Sequence, residues 1–221
     1  GAAVIAGCTV CRLAEGAGRL IVLIDAAAHN VENALAAAAV GDALGLPFHA
    51  LAGGLRSLLP TPKDSPGRSV VLLKDGVRLL LDFAHNPAGV AVTMAFLTAL
   101  RARDEGQGRL IVIVGQAGDR SDEEVRAFAR GVREGGADVV IARDLKGYLR
   151  GRERGETPAL FRDELLKAGM PESALLIAAA DVDALLLALE QAKAGDTVAL
   201  LVQVDADGVH ELLRQRGWSL D

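Results

Sequence analysis

Aromatic side chains are scarce in this chain: 3% of its 221 residues, with one tryptophan and one tyrosine. A core must therefore be assembled from alanine, valine and leucine, and at 51% hydrophobic residues the chain has enough of them for one large core plus a small appendage. That suits parallel strands covered by helices, whose buried runs are aliphatic rather than alternating. Cysteine is limited to Cys8 and Cys11, a lone Cys-x-x-Cys. A zinc half-site or a redox pair would need more: no second pair exists and the histidines stand scattered at 29, 49, 85 and 210, so thiols kept reduced inside the cell are the better reading. With a net charge of −5 and no basic stripe, nucleic acid is not an expected partner. Apolar stretches break well short of the ~20 residues of a membrane span, and residues 4–10 lack a signal-peptide charge pattern, so no membrane association and a cytoplasmic location are expected. Two phosphate-binding patterns are also missing. No Gly-x-Gly-x-x-Gly points to a nicotinamide or flavin, and no Gly-x-x-Gly-Lys-[Ser/Thr] supplies a triphosphate cradle.

What is present alternates. Strand-like runs at residues 4–6 and 20–24 precede an Ala-rich helix over 31–44, with Asn30 as its N-cap and Glu32 in its first turn. Residues 59–67 hold prolines 60, 62 and 66 and a terminal glycine, which resist regular structure and place a domain boundary, residues 1–65 before it and 66–221 after it. Strands over 69–73 and 77–82 flank Asp75-Gly76, a strong hairpin signal. Helices are then expected over 87–103, 122–134, 157–167, 182–192 and 209–216, interleaved with strands over 110–115, 139–142, 175–178 and 198–202. This order predicts an α/β fold: a Rossmann-like domain with a mostly parallel sheet and one antiparallel edge hairpin.

The strand over 77–82 runs into Leu81-Asp82-Phe83-Ala84-His85-Asn86-Pro87-Ala88-Gly89. Pro87 suits the first position of a helix, so Asp82 falls at a strand's carboxyl end while His85 and Asn86 stand at a helix start. Ligands of open α/β sheets bind in the crevice outside those ends, where a carboxylate can accept bonds from ribose hydroxyls. An Asn-Pro turn with an incidental aspartate gives the same pattern for backbone reasons alone.

This nonapeptide resembles the Asp-Tyr-Ala-His-Asn-Pro signature that opens the C-terminal domain of the Mur ligase family. Four other segments agree, in family order. Ala28-His29-Asn30-Val31-Glu32-Asn33-Ala34-Leu35-Ala36-Ala37-Ala38 resembles the helix closing the central ATPase domain, and Gly54-Leu55-Arg56-Ser57 with Ser65-Pro66-Gly67-Arg68 resembles the elements before the domain junction. Gly118-Asp119-Arg120-Ser121-Asp122-Glu123-Glu124 and Leu149-Arg150-Gly151-Arg152-Glu153-Arg154-Gly155-Glu156 are most like the cyanophycin synthetase branch. In that branch Gly-x-Gly-Asp-Arg-Arg is expected, whereas here Ala117 and Ser121 replace a glycine and the second arginine.

The resemblance implies an ATP-dependent amide ligase acting through an acyl phosphate, adding arginine to an aspartate side chain. A glutamate-adding or peptidoglycan-precursor ligase is the alternative within the family, and a non-catalytic nucleotide- or partner-binding module the alternative outside it. Residues 1–65 would be the tail of the central domain and 66–221 the C-terminal Rossmann-like domain, so that the chain is expected to be a fragment whose P-loop lies elsewhere, a degenerate family member being the other account that the sequence leaves open. The implied partners are ATP, an amino acid, a carboxylate or polymer acceptor and the missing P-loop part of the central domain, with homo-oligomerisation left open. Mg²⁺ is implied with ligands outside the segment. Asn33 would meet the adenine, since a carboxamide both donates to and accepts from a base edge. Arg68 would meet the γ-phosphate or acyl phosphate through its planar fork, as the one catalytic candidate. Asp82 would hold the ribose, and His85 and Asn86 would complete the nucleotide side. Asp119, Arg120, Arg150 and Arg152 would face the amino-acid or polymer substrate, although a mixed-charge run such as that holding Arg150 and Arg152 is usually a solvated loop.

Overall fold

The computed structural model describes residues 28–57, 70–102, 108–202 and 204–219. The strand-like runs at 4–6 and 20–24, Cys8, Cys11, the proline-rich segment 59–67 and Arg68 lie outside the described residues. The chain divides into two compact units, Gly1–Leu59 and Pro60–Asp221.

In the first unit, helix α1 (Ala28–Ala43) is followed by α2 (Phe48–Ser57). Alanine has the highest helix propensity, and α1 starts at Ala28, two residues before the Asn30 expected to cap it. Asn30 lies inside the first turn and Glu32 beyond it, which corrects both expectations. The carbonyl of Pro47 accepts from the Ala50 and Leu51 amides at 2.9 and 3.2 Å and so starts α2. Ala38 and Ala52 are buried between the two helices, with Leu51 and Leu55 packed against them.

The second unit is a six-stranded sheet, with β1 (Val70–Lys74), β2 (Val77–Asp82), β3 (Leu110–Val114), β4 (Val139–Arg143), β5 (Leu175–Ala178) and β6 (Thr197–Leu201) in the order β1-β2-β6-β3-β4-β5. Among the described residues only the β1–β2 pairing is antiparallel. Asp75 and Gly76 join those two strands with φ of 50° and 76°, the positive values that a two-residue type I′ turn requires. The central strands β3 (Leu-Ile-Val-Ile-Val) and β6 are buried at every position, as parallel strands covered on both faces must be.

Helices α3 (Pro87–Arg101), α4 (Asp122–Glu134), α5 (Glu156–Lys167), α6 (Asp181–Gln191) and α7 (Ala206–Gln215) cover the sheet. Leu79, Leu81, Ile111, Ile113, Ile141, Val198 and Leu200 point to one face, where they pack with Leu185 and Ala188 of α6, Val209 and Leu213 of α7, and Trp218. The alternate residues Leu80, Val112, Val140 and Ala199 point the other way and are equally buried, which leaves α3, α4 and α5 to cover that side. There Phe128 and Phe161 meet edge to face at 5.6 Å between α4 and α5. Full burial of one such ring contributes roughly 1.5–3 kcal/mol. A 3-10 turn at Glu172–Ala174, not foreseen in the sequence, leads into β5. No described helix is long and apolar enough to cross a membrane.

Candidate functional site

Five parallel strands end side by side at the carboxyl edge of the sheet, and the loops that leave them carry most of the candidates. Asp82 is the last residue of β2, opposite Leu201 of β6. Its Oδ1 accepts from the Ala84 amide at 2.9 Å and from the Thr93 hydroxyl on α3 at 3.0 Å, so one carboxylate oxygen both closes the turn and ties it to the helix it feeds. Asn86 caps α3: its Oδ1 accepts from the Gly89 amide at 2.8 Å, and Pro87 occupies the first turn. The amide has the proton to give at a helix start, and the carboxamide supplies the acceptor. His85 is exposed between them, its Nδ1 3.1 Å from the Phe83 carbonyl and its Nε2 3.5 Å from Asn86 Nδ2. The Phe83 ring tilts against it at 5.4 Å. The turn thus presents an imidazole and an aromatic face outward.

Gln116 joins this turn to the next loop. Buried at the end of β3, it donates from Nε2 to the His85 carbonyl at 3.0 Å. Sequence reasoning passed over it because an amide following a glycine carries no periodic signal; its place after the central strand was the available clue.

The loop from β3 to α4 lies against the loop from β4 to α5. The Gly118 amide donates to the Tyr148 carbonyl at 2.8 Å. A Cβ on Gly118 would overlap the Leu149 carbonyl oxygen, so only glycine permits this approach. Arg152 stitches the two loops. Its Nε donates to the Gly118 carbonyl (3.1 Å), Nη2 to the Arg120 carbonyl (2.8 Å) and Asp122 (2.7 Å), and Nη1 to Glu156 (2.8 Å). The fork expected to face substrate is spent on protein acceptors. Ser121, the departure from the expected second arginine, caps α4: it accepts from the Glu124 amide at 3.2 Å while the Glu124 carboxylate accepts from the Ser121 amide at 2.9 Å.

Asp119 and Arg150 form an ion pair, each about half exposed, and the Arg150 guanidinium sits 5.0 Å from the Tyr148 ring centroid. Hydrogen bonding from Arg150 holds the Asp119 carboxyl below its ordinary value. Arg120 is partly exposed and pairs with Glu124 at 3.5 Å, one turn further along.

The structure therefore brings Asp82, His85 and Asn86 together in one turn, and Asp119, Arg120, Arg150 and Arg152 together in a neighbouring pair of loops. Asn33 is exposed on α1 in the first unit. Arg68 is not among the described residues. The Asp82–Asn86 turn suits a nucleotide's sugar end, with a carboxylate at the strand terminus and exposed polar and aromatic groups beside it. Among the described residues no three His, Cys, Asp or Glu side chains converge to hold an ion.

The sequence pattern of the Mur ligase, glutamate ligase domain matches residues 67–201. A cyanophycin synthetase from Trichormus variabilis is 26% identical over 187 residues, covering 85% of this chain and 20% of that protein. A UDP-N-acetylmuramoyl-L-alanyl-D-glutamate–2,6-diaminopimelate ligase from Thermosynechococcus vestitus is 31% identical over 175 residues, covering 77% of this chain and 32% of that protein. The chain thus spans about a fifth to a third of the curated relatives it matches. The fold is shared with the structure of E. coli FolC in complex with ADP, at 22% identity and a TM-score of 0.59, over 83% of this chain and 39% of that one. With the domain pattern matching more than half of its length, this chain belongs to the Mur ligase family.

Proposed function

We propose that this chain is part of an ATP-dependent ligase that forms an amide bond through an acyl phosphate, with arginine as the amine and an aspartate side chain as the carboxylate. Residues 66–221 are read as its C-terminal domain and residues 1–65 as the tail of its central ATP-binding domain. The observation that carries the reading is the turn from Asp82 to Asn86 at the carboxyl edge of a sheet whose sequence matches the family pattern. In such a reaction the carboxylate takes the γ-phosphoryl group of ATP and releases ADP. The amine then attacks the acyl carbon, loses its proton and expels phosphate.

Each candidate has a part that its chemistry permits. Asp82 accepts from the ribose, with His85 and Asn86 completing that side. Asn33 meets the adenine, and Arg68 meets the charge that develops on the transferred phosphoryl group. Asp119 and Arg150 offer an exposed anion and cation side by side, which match the guanidinium and the carboxylate of an incoming arginine. Arg120 remains a surface contact for an acidic polymer, and Arg152 holds the loops in register. Mg²⁺ would supply charge neutralisation at the phosphates, with ligands outside the described residues.

A second reading within the family rests on the 31% identity to the diaminopimelate ligase. The test is ADP release by the full-length protein with ATP and each amine in turn: arginine with an aspartate-containing peptide, and diaminopimelate with a UDP-linked muramoyl dipeptide. Arginine-dependent release supports the first reading and diaminopimelate-dependent release the second. A protein that binds ATP but turns over with no amine is the non-catalytic module.

A further inference from the structure

One buried ion pair takes no direct part in that reading. Arg143 ends β4 and Asp181 begins α6; both are 0–1% exposed, and Arg143 Nε donates to Asp181 Oδ1 at 2.6 Å. The remaining atoms reach the turn after β6. Arg143 Nη2 donates to the carbonyls of Leu201 and Val202, both at 3.0 Å, while Asp181 Oδ2 accepts from the amides of Val204 and Asp205 at 2.7 and 2.8 Å. Successive carbonyls of a strand point to opposite sides, so one nitrogen can collect two of them only where the strand geometry breaks. It breaks at Val202, whose φ of 59° lies in the left-handed region that a β-branched residue avoids. The same residue donates its amide to the Asp82 carbonyl at 3.0 Å, one step beyond the β2–β6 pairing. Arg143 Nη1, which has no hydrogen-bond partner among the described residues, fills the space that a Cβ on Gly115 would need at the end of β3.

A buried ion pair is a weak source of net stability, because apolar residues of similar volume commonly serve as well. What apolar residues cannot do is satisfy two carbonyls and two amides of a turn held in a disfavoured conformation. We propose that Arg143 and Asp181 are positioning residues: by holding Val202 at positive φ they fix the backbone of Asp82, and with it the Asp82–Asn86 turn from which nucleotide is bound. The last clause rests on the ligase reading above; the hold on the turn does not.

The experiment uses the full-length protein with R143M/D181L, which removes both charges together, and the same pair with V202G added, since glycine takes the left-handed conformation unaided. Amide hydrogen exchange is followed at Val202 and Ala84, with Val112 in β3 as the control, alongside ATP affinity and turnover. Expected for the double variant is exchange about tenfold or more faster at Val202 and Ala84 with Val112 unchanged, a rise in Kd for ATP, and recovery of slow Ala84 exchange on adding V202G. Faster exchange at all three amides in parallel would make the pair a contributor to global stability only, and unchanged exchange at Val202 and Ala84 would show that the turn holds itself; either overturns the proposal. If the exchange results hold but wild-type protein forms no amide with any amine, the ligase reading falls and the positioning role stands.

Discussion

Asp82 already has a structural duty within its turn. Oδ1 is engaged by the Ala84 amide and the Thr93 hydroxyl, so the side chain is part of the turn whatever else it binds. Asparagine retains that carbonyl oxygen and loses the charge, whereas alanine loses both. Asp82→Asn is therefore expected to cost less thermal stability than Asp82→Ala, which strands a turn amide and a hydroxyl at about 1–3 kcal/mol. In the complete enzyme Asp82→Asn should weaken ATP and hardly affect 2′,3′-dideoxy-ATP, because only an intact ribose can use a charged acceptor. Such a bond contributes about 1.5–3 kcal/mol, so the wild-type preference for ATP should be roughly tenfold or more. Equal weakening of both nucleotides by the asparagine variant would confine Asp82 to holding the turn.

At the scale of elements, the sheet's opposite edge carries its own lock. Asp196, just before β6, accepts from the Arg109 amide (2.8 Å), Arg109 Nη2 (2.7 Å) and the Lys193 amide (3.0 Å), fastening the amino ends of β3 and β6. Burial by itself raises this carboxyl, but bonds from the Arg109 guanidinium and the two amides outweigh it and hold the group below its ordinary 3.8. A carboxyl lowered by folding stabilises the native state above the unfolded value and ceases to do so as pH falls through the folded value. Asp196→Asn should thus lower unfolding free energy by about 1.5–3 kcal/mol at pH 7. The gap to wild type should narrow below pH 3.8 and close as the native carboxyl protonates, which urea titrations across that range would show. A gap independent of pH would assign the loss to packing.

The strands were legible because each is an aliphatic run bounded by glycine or charge, and the hairpin because Asp75-Gly76 accepts positive φ at both positions. Helix α2 was not, since Gly53 and Gly54 each cost about 1 kcal/mol relative to alanine inside a helix. Packing of Ala52 against Ala38 overrides that local preference. Likewise β4 reads as ending at Ala142, because an arginine looks like the start of a loop. Only the tertiary fold brings Asp181, at the start of α6, to within 2.6 Å of it. The Asp82 turn could be found because its parts are contiguous, whereas the positioning pair joins residues that no local pattern links.

The whole molecule raises the question of how much of a nucleotide site these 221 residues hold. Their sequence has no Gly-x-x-Gly-Lys-[Ser/Thr] run, and the described residues have no cluster able to hold a metal ion. Among the described residues of the second unit, what is proposed to meet ATP is the ribose contact at Asp82, with His85 and Asn86 beside it. A charged hydrogen bond contributes about 1.5–3 kcal/mol, whereas millimolar affinity already requires roughly 4 kcal/mol after the cost of immobilising the ligand. The chain on its own is therefore expected to bind ATP with a Kd of about 1 mM or weaker, and to release no ADP above background with arginine and an aspartyl peptide present. Calorimetric titration and a coupled ADP assay measure the two quantities separately. Binding far tighter than millimolar would mean that these residues cradle the phosphates by themselves, and amide formation by the chain alone would overturn the division into a central-domain tail and a C-terminal domain.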